Sequence, residues 1–389
     1  MEKIQMNSMA FISWAVAAIW ILLGSYAVFT LALTWLWTRI RKRAEPADIP
    51  RDFFITVIIP VRNEAGNIIS LLEDLNRQTL PLPHFEVLVM DDSSTDNTAA
   101  IVRAFAEHSQ ARIKLIPLPD ERTSAPKKRA IETAIAHAQG KLIVTTDGDC
   151  RAQAGWLHAI ATCYLHTGAK LISSPVTFTR EATFTDHLQT VEFASLIGSG
   201  AASMSAGYPS MCNGANLAYE KETFLEVHGY EGVRHIASGD DEFLMHKIAA
   251  RYPGSVYFLR HRDAVIRTAP HRNWASFYRQ RKRWASKWKH YQSKTPLVLA
   301  IYIFASNFSL LLAGAFVLAG SIPLSVFSGM LALKCVPEWL FLGSVLGFLQ
   351  KRKSLIFIPV TQVFYPFYVC FFGLAAQKGQ YEWKGRRLS

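Results

Sequence analysis

With 389 residues, half of them hydrophobic, and a mean hydropathy of +0.13, the chain can bury one large domain and still keep apolar residues for lipid. Its five cysteines (Cys150, Cys163, Cys212, Cys335 and Cys370) are scattered, with no paired C-x-x-C spacing and no histidine-assisted zinc pattern, which excludes a disulfide framework and a structural zinc module and fits a reduced, cytosol-facing domain. The formal net charge of +12 raises nucleic acid as a partner, and where that charge lies decides the matter.

Residues 4–38 carry no charge, and the apolar run inside them exceeds the ~20 residues needed to cross a hydrocarbon layer, so the sequence predicts a transmembrane helix over 9–38. The run is too long for a signal-peptide core and ends in Arg39-Ile40-Arg41-Lys42-Arg43, not in a small-residue cleavage site. It is therefore expected to be retained. The positive-inside rule then puts the chain beyond this basic cluster in the cytosol, with a bacterial-type inner or plasma membrane as the expected location.

From residue 51 to about 250 the composition is that of a soluble α/β domain. Strands are expected over 54–60, 86–90, 112–116 and 141–146, and helices over 64–78, 95–108 and 127–139. That alternation predicts a parallel sheet whose ligands sit beyond the carboxyl ends of the strands. Residues 251–294 hold 12 Lys/Arg against one acid, Asp263, which is nearly the whole charge excess. The stretch is interleaved with aromatics such as Tyr257, Trp274, Trp284 and Trp288 and runs straight into an apolar segment. It reads as a basic amphipathic belt on membrane lipids, and no nucleic acid is expected. Residues 296–377 are mostly apolar and predict at least three further membrane segments, with Pro323, Gly329, Lys334 and Pro337 as places where a span could divide. A tail carrying Lys378, Lys384, Arg386 and Arg387 favours the cytosol, which asks for an even number of crossings after the domain.

Within the domain, the first expected strand ends in Pro60-Val61-Arg62-Asn63-Glu64, and the second in Asp91-Asp92-Ser93-Ser94-Thr95-Asp96. The second run can cap a helix, but two adjacent carboxylates at a sheet's carboxyl edge can also accept from a nucleobase or a ribose hydroxyl. Lys127, Lys128 and Arg129 open a helix, where cations oppose the helix dipole; a diphosphate would compensate, and so would solvent. Asp147-Gly148-Asp149 puts carboxylates two residues apart, on the same side of an extended backbone, as Mg²⁺ or Mn²⁺ would require; a polar turn is the plain alternative. Cys212-Asn213-Gly214 is a turn or a sugar-binding loop. Gly239-Asp240-Asp241-Glu242 is helix N-terminal charge or the source of a general base. Gln280-Arg281-Lys282-Arg283-Trp284 could anchor to lipid, or bring guanidinium and indole groups to a leaving diphosphate and an acceptor sugar. His261-Arg262-Asp263 mimics a kinase catalytic loop, but residue 268 is Thr and no glycine-rich loop precedes it.

Taken in order, Ile58-Ile59-Pro60-Val61-Arg62-Asn63-Glu64, Asp91-Asp92-Ser93-Ser94-Thr95-Asp96, Lys127, Asp147-Gly148-Asp149, Gly239-Asp240-Asp241 and Gln280-x-x-Arg283-Trp284 resemble the family 2 glycosyltransferases over residues 54–290. Within that family they are similar to the membrane-embedded branch of cellulose, chitin, hyaluronan and poly-N-acetylglucosamine synthases and ceramide glucosyltransferase. The resemblance implies a GT-A fold, a Rossmann-like mixed α/β sheet flanked by transmembrane helices. It also implies inverting transfer from a nucleotide sugar, usually UDP-linked, to a lipid, lipid-linked or glycan acceptor. By position it implies donor binding by Pro60, Glu64, Asp91, Asp92, Lys127, Asp147, Gln280, Arg283 and Trp284, a divalent cation at Asp147 and Asp149, and a base at Asp241 beside Asp240. Two departures stand out: Asp240 replaces the usual glutamate, and Ala285-Ser286 follows Trp284 where processive members often carry a glycine. A processive polysaccharide synthase and a catalytically silent scaffold remain the alternatives.

Overall fold

The computed structural model describes residues 2–40, 48–120, 123–286, 295–375, 381–383 and 386–388. The basic residues Arg41, Lys42 and Arg43, residues 287–294, and Lys378 and Lys384 of the tail lie outside the described residues. The chain divides into two units. One comprises residues 39–182, 199–279 and 380–389; the other comprises 1–38, 183–198 and 280–379.

The first unit is built on a mixed seven-stranded sheet. After the N-terminal helix α1 (Glu2–Arg39), which belongs to the other unit, strand and helix alternate: β1 (Ile55–Val61), α2 (Ile68–Asn76), β2 (Phe85–Asp91), α3 (Thr98–His108), β3 (Arg112–Pro117), α4 (Pro126–His137) and β4 (Leu142–Thr145). These lie within a few residues of the strands and helices expected from the sequence. β1, with the run Ile55-Thr56-Val57-Ile58-Ile59, and β2 are buried along nearly their whole length, as strands covered on both faces must be. β3 alternates exposed and half-buried residues because it is the edge. α2 buries Ile68, Leu71, Leu72 and Leu75, one stripe at helical spacing.

The second half supplies α5 (Trp156–Thr167), β5 (Leu171–Ser173), β6 (Val176–Phe178), α6 (Phe184–Ser205), β7 (Leu217–Glu220), α7 (Lys221–Glu226), α8 (Glu242–Arg251), β8 (Val256–Phe258), β9 (Ile266–Thr268) and α9 (Trp274–Ser286). The sheet order is β3-β2-β1-β4-β7-β5-β8. The first four strands run parallel, and β7 lies antiparallel between β4 and β5. The sheet is mixed, as the resemblance implied. Residues 251–294 are not one interfacial belt: β8 joins the sheet, β9 pairs with β6, and only α9 is an amphipathic helix. Nor is 51–250 one block, because 183–198 of α6 belong to the other unit.

That other unit gathers α1, α10 (Thr295–Leu318), α11 (Leu324–Phe348) and α12 (Ile358–Ala375). Four stretches, Ala10–Arg39, Pro296–Leu318, Leu324–Phe348 and Arg352–Gly373, are long and apolar enough to cross a membrane. Their outer faces carry Phe11, Trp14, Ile21, Leu318, Ile356 and Phe367 exposed. The uncharged stretch after residue 295 divides at Gly320–Pro323, while Pro337 sits inside α11 without ending it. Among the described residues three such helices follow the sheet, where the charged tail asks for an even number of crossings. Inside this unit α11 buries an ion pair, Lys334 Nζ to Glu338 Oε1 at 2.7 Å. The same carboxylate accepts from Tyr26 of α1 at 2.7 Å and from Gln362 of α12 at 3.3 Å, so one buried acid joins three helices.

Candidate active site

The strand order reverses between β1 and β4, and a crevice opens beyond the carboxyl ends of parallel strands at such a point. Thr145-Thr146-Asp147-Gly148-Asp149 leaves β4 here. The Thr145 hydroxyl donates to the Gly214 carbonyl at 3.0 Å, which ties the loop before β7 to the same edge. Gly148 lets the carboxylate loop reach the end of β1: a Cβ there would lie 2.9 Å from Val61 Cγ1 and 3.1 Å from Glu64 Cγ.

Lys127, on the first turn of α4, gathers the acids. Its Nζ lies 2.8 Å from Asp147 Oδ1 and 3.2 Å from Asp240 Oδ2. Burial alone would lower the ammonium's pKa, but Asp147 and Asp240, with Asp241 behind them, hold it above its ordinary 10.5. Asp241 caps α8, accepting from its own neighbour Glu242 N at 2.8 Å through Oδ1 and from Gly214 N at 2.9 Å through Oδ2. Two backbone amides thus fix the carboxylate's direction. At residue 214 a Cβ would sit 2.8 Å from Asp240 Oδ2 and 3.2 Å from Lys127 Nζ, so glycine lets the loop pass close to this ion pair without pushing its ends apart. Asp147 is the open member, with 40% of its side chain exposed.

Beside this cluster the loops after β1 and β2 are stitched together. Asn63 and Ser93 both adopt left-handed backbone, at φ 55 in each case, a conformation that costs free energy and concentrates at functional sites. Asn63 Oδ1 accepts from Thr95 N at 2.8 Å, and Asp96 accepts from Ala65 N and Thr98 N. Asp91 is turned inward on Ser94. Asp92 is paired with Arg129 at 2.7 Å and, more distantly, with Arg62 at 3.9 Å. Glu64 is buried and accepts from Asn67 Nδ2 at 2.8 Å. Asp149 accepts from the Thr268 hydroxyl at 3.2 Å. Burial, with the charges of Asp149 and Asp147 adding to it, pushes the Cys150 thiol well above its ordinary 9.0.

Lys127, Asp147, Asp240 and Asp241 are therefore brought together, while Glu64, Asp91, Asp92 and Asp149 lie on the loops after β1, β2 and β4 with partners of their own. Pro60 lies in β1 opposite Met90, beyond the last residue that β4 pairs, so its missing N–H breaks no ladder there. Gln280, Arg283 and Trp284 are on the last turns of α9, in the unit of the apolar helices. Sequence reasoning named Arg62, Arg129 and Arg281 within their motifs but not their partners Asp92 and Glu192, and it gave Thr268 no part beside Asp149. None of these pairings carries a local signature, because each partner lies far away in the chain.

The reversal of the sheet at β1 and β4, with acids and a lysine at its carboxyl edge, defines a GT-A nucleotide-diphospho-sugar fold. Residues 142–373 match the model described as glycosyl transferase family group 2, residues 56–225 match that of glycosyl transferase family 2, and the chain belongs to the first of these families. It is similar to glycosyltransferase AglE of Haloferax volcanii, 35% identical over 126 residues that make up 32% of this chain and 40% of the relative. It is also similar to an undecaprenyl-phosphate 4-deoxy-4-formamido-L-arabinose transferase of Shewanella sediminis, 32% identical over 97 residues, 25% of this chain and 28% of the relative. The chain thus spans less than half the length of either curated relative. Among solved structures, the mannosyltransferase PcManGT of Pyrobaculum calidifontis, in complex with GDP-Man and Mn²⁺, superposes with a TM-score of 0.57 at 20% identity, covering 91% of this chain and 99% of that one. That likeness is one of fold.

Proposed function

We propose that the chain is a membrane glycosyltransferase that moves a sugar from a UDP-sugar to a lipid-linked acceptor in a single inverting displacement, its sheet domain facing the cytosol. The observation that carries this reading is the joining of Asp147, Asp240 and Asp241 around Lys127 and Gly214. In the proposed reaction an acceptor hydroxyl attacks the anomeric carbon, its proton passes to Asp241, and the C–O bond to the nucleoside diphosphate breaks with its electrons on the leaving oxygen. Asp240 is engaged by Lys127, whereas the direction of Asp241 is set by two backbone amides, so the base is assigned to Asp241 on orientation.

One ammonium faces the carboxylates of Asp147, Asp240 and Asp241, so the cluster is anionic before an anionic diphosphate enters. Asp147 and Asp149 are hard oxygen donors on one loop, and no three His, Cys, Asp or Glu side chains form a cage among the described residues. This donor set fits a Mg²⁺ or Mn²⁺ that completes its shell with donor phosphate and water. When bound, the ion would supply positive charge to the departing diphosphate. Asp147 and Asp149 would hold it, while Lys127 would bind the diphosphate and Asp91, Asp92 and Glu64 would shape the nucleoside side. Gln280, Arg283 and Trp284 are assigned to donor and acceptor by the motif alone. A lipid-linked acceptor is favoured over a growing polymer because the membrane portion among the described residues, four apolar helices, is modest for a polymer channel, and because the Shewanella relative is named for a prenyl-phosphate acceptor.

Membranes holding the full chain can be incubated with a panel of radiolabelled UDP-sugars and with GDP-mannose. A lipid-extractable product from a UDP-sugar, lost in excess chelator and restored by Mg²⁺ or Mn²⁺, is expected. No incorporation from any donor would refute the reading; an undiminished rate in excess chelator would remove the metal assignment, and a polymeric product would shift the reading to a processive synthase.

A further inference from the structure

The unit of apolar helices holds a second buried ion pair, which the proposed reaction leaves unused. Arg281 of α9 and Glu192 of α6 are only 5% and 12% exposed at their side chains. The Arg281 Nε donates to Glu192 Oε1 at 2.9 Å, and a terminal guanidinium nitrogen donates to Oε2, so the pair is bidentate. From α12, the Tyr368 hydroxyl donates to the same Oε1 at 3.1 Å. Arg281 lies three residues before Trp284, on the same helix face, and its guanidinium carbon stands 4.4 Å from the centroid of the indole. Phe193, the next residue after Glu192, stacks on Trp284 at 6.3 Å and 26°.

We infer that Glu192 is a positioning residue that sets the plane of the Trp284 indole through Arg281 and is itself held by Tyr368 of the apolar helix α12. The inference rests on the proposed function for the part Trp284 plays in transfer. Three features of the contact favour positioning over bulk stability. A buried ion pair is a weak source of stability, since apolar side chains of similar volume serve as well. It is a strong source of direction, because a planar guanidinium can grip a carboxylate with one edge and lie on an indole with its face, which an ammonium cannot. And the carboxylate and the second ring on the indole are consecutive residues of one helix, so a rotation of α6 would move both.

The test uses the purified full chain with Glu192→Gln, Arg281→Lys and Tyr368→Phe, each also made together with Trp284→Phe. Subtracting each Trp284→Phe partner isolates the fluorescence of Trp284. Acrylamide quenching of that signal is expected to rise about twofold or more in Glu192→Gln and Arg281→Lys and to a lesser degree in Tyr368→Phe. Turnover should fall about tenfold or more in Glu192→Gln and Arg281→Lys, and adding either change to Trp284→Phe should slow turnover by no more than about twofold beyond Trp284→Phe alone, the pattern of a residue that acts through the indole. Unchanged quenching in Glu192→Gln overturns the inference, whether or not the parent transfers sugar. So do effects of Glu192→Gln and Trp284→Phe on turnover that simply multiply in the double variant, the mark of a contact that does not act through Trp284. A parent that transfers no sugar while the quenching does rise defeats the functional reading and leaves the positioning contact standing. Should Glu192→Gln fail to fold, Tyr368→Phe, which removes one hydroxyl, decides the matter by the same quenching measurement.

Discussion

Lys127, Lys128 and Arg129 follow one another on the first turn of α4 and do three different things, because successive helical residues point about 100° apart. Lys127 bridges Asp147 and Asp240; Lys128 is buried and donates to the carbonyls of Val233 and Ile236; Arg129 neutralises Asp92. Of the three, Lys127 is the one that holds Asp147 and Asp240 together. Lys127→Met leaves two acids facing each other without a cation, so nucleotide-sugar binding should weaken by about 10- to 100-fold, as expected for the loss of a charge-assisted hydrogen bond worth ~1.5–3 kcal/mol. Equilibrium binding of labelled UDP would show it, and an unchanged affinity would remove Lys127 from the donor site. The same residue sets an alkaline limit. Its folded pKa lies above the ordinary 10.5, so its stabilising contribution is complete below that value and is lost only as the pH rises through the higher one. Binding should therefore stay level through Lys127 from about pH 7 to pH 10. At this scale the sequence was legible where chemistry clusters locally, as in Asp147-Gly148-Asp149 and Asp240-Asp241. It marked Gly214 as part of a turn or sugar-binding loop but could not show the side chains of residues 127 and 240 beside it, and it was silent on Glu192, one of two acids in α6.

Among the elements, the first four strands and three helices could be read from the sequence because each is long enough to show a period: continuous β-branched residues in β1, and a four-residue apolar stripe in α2. The strands β5, β6, β8 and β9 are three residues each, too short for any period, and so the basic stretch after residue 251 looked like a single membrane belt. In the apolar helices the informative residues were the exceptions to apolarity. Lys334 and Glu338 were visible as charges inside a hydrophobic run, but the partners Tyr26 and Gln362 come from α1 and α12 and could not be foreseen. Removing one member of such a pair strands the other, at a cost on the order of 3–5 kcal/mol, whereas removing both can restore much of it. Lys334→Met should lower the thermal midpoint of the detergent-solubilised chain, and Lys334→Met with Glu338→Gln should recover part of the loss. If the two changes simply add, the residues do not act as a pair.

For the whole molecule, charge along the chain makes the proposed topology testable at the connections between the apolar helices. The α10–α11 connection, residues 319–323, is uncharged, whereas the α11–α12 connection contains Lys351, Arg352 and Lys353. With a cytosolic sheet domain, the positive-inside rule puts the first outside and the second inside. Single cysteines at residues 321 and 352 in a cysteine-free background should differ accordingly, the first reacting with an impermeant maleimide on intact cells and the second only after permeabilisation; the opposite pattern would invert the proposed topology. The central claim is that the acids gathered at the β1–β4 edge carry out sugar transfer, and Asp241→Asn tests it most directly. The amide keeps the size of the side chain and a carbonyl oxygen for one of the two backbone amides, but it cannot take a proton. In purified full-length protein, UDP binding should remain within about twofold of the parent while transfer from the accepted UDP-sugar falls about 100-fold or more. An Asp241→Asn protein that turns over at the parent's rate would contradict the assignment.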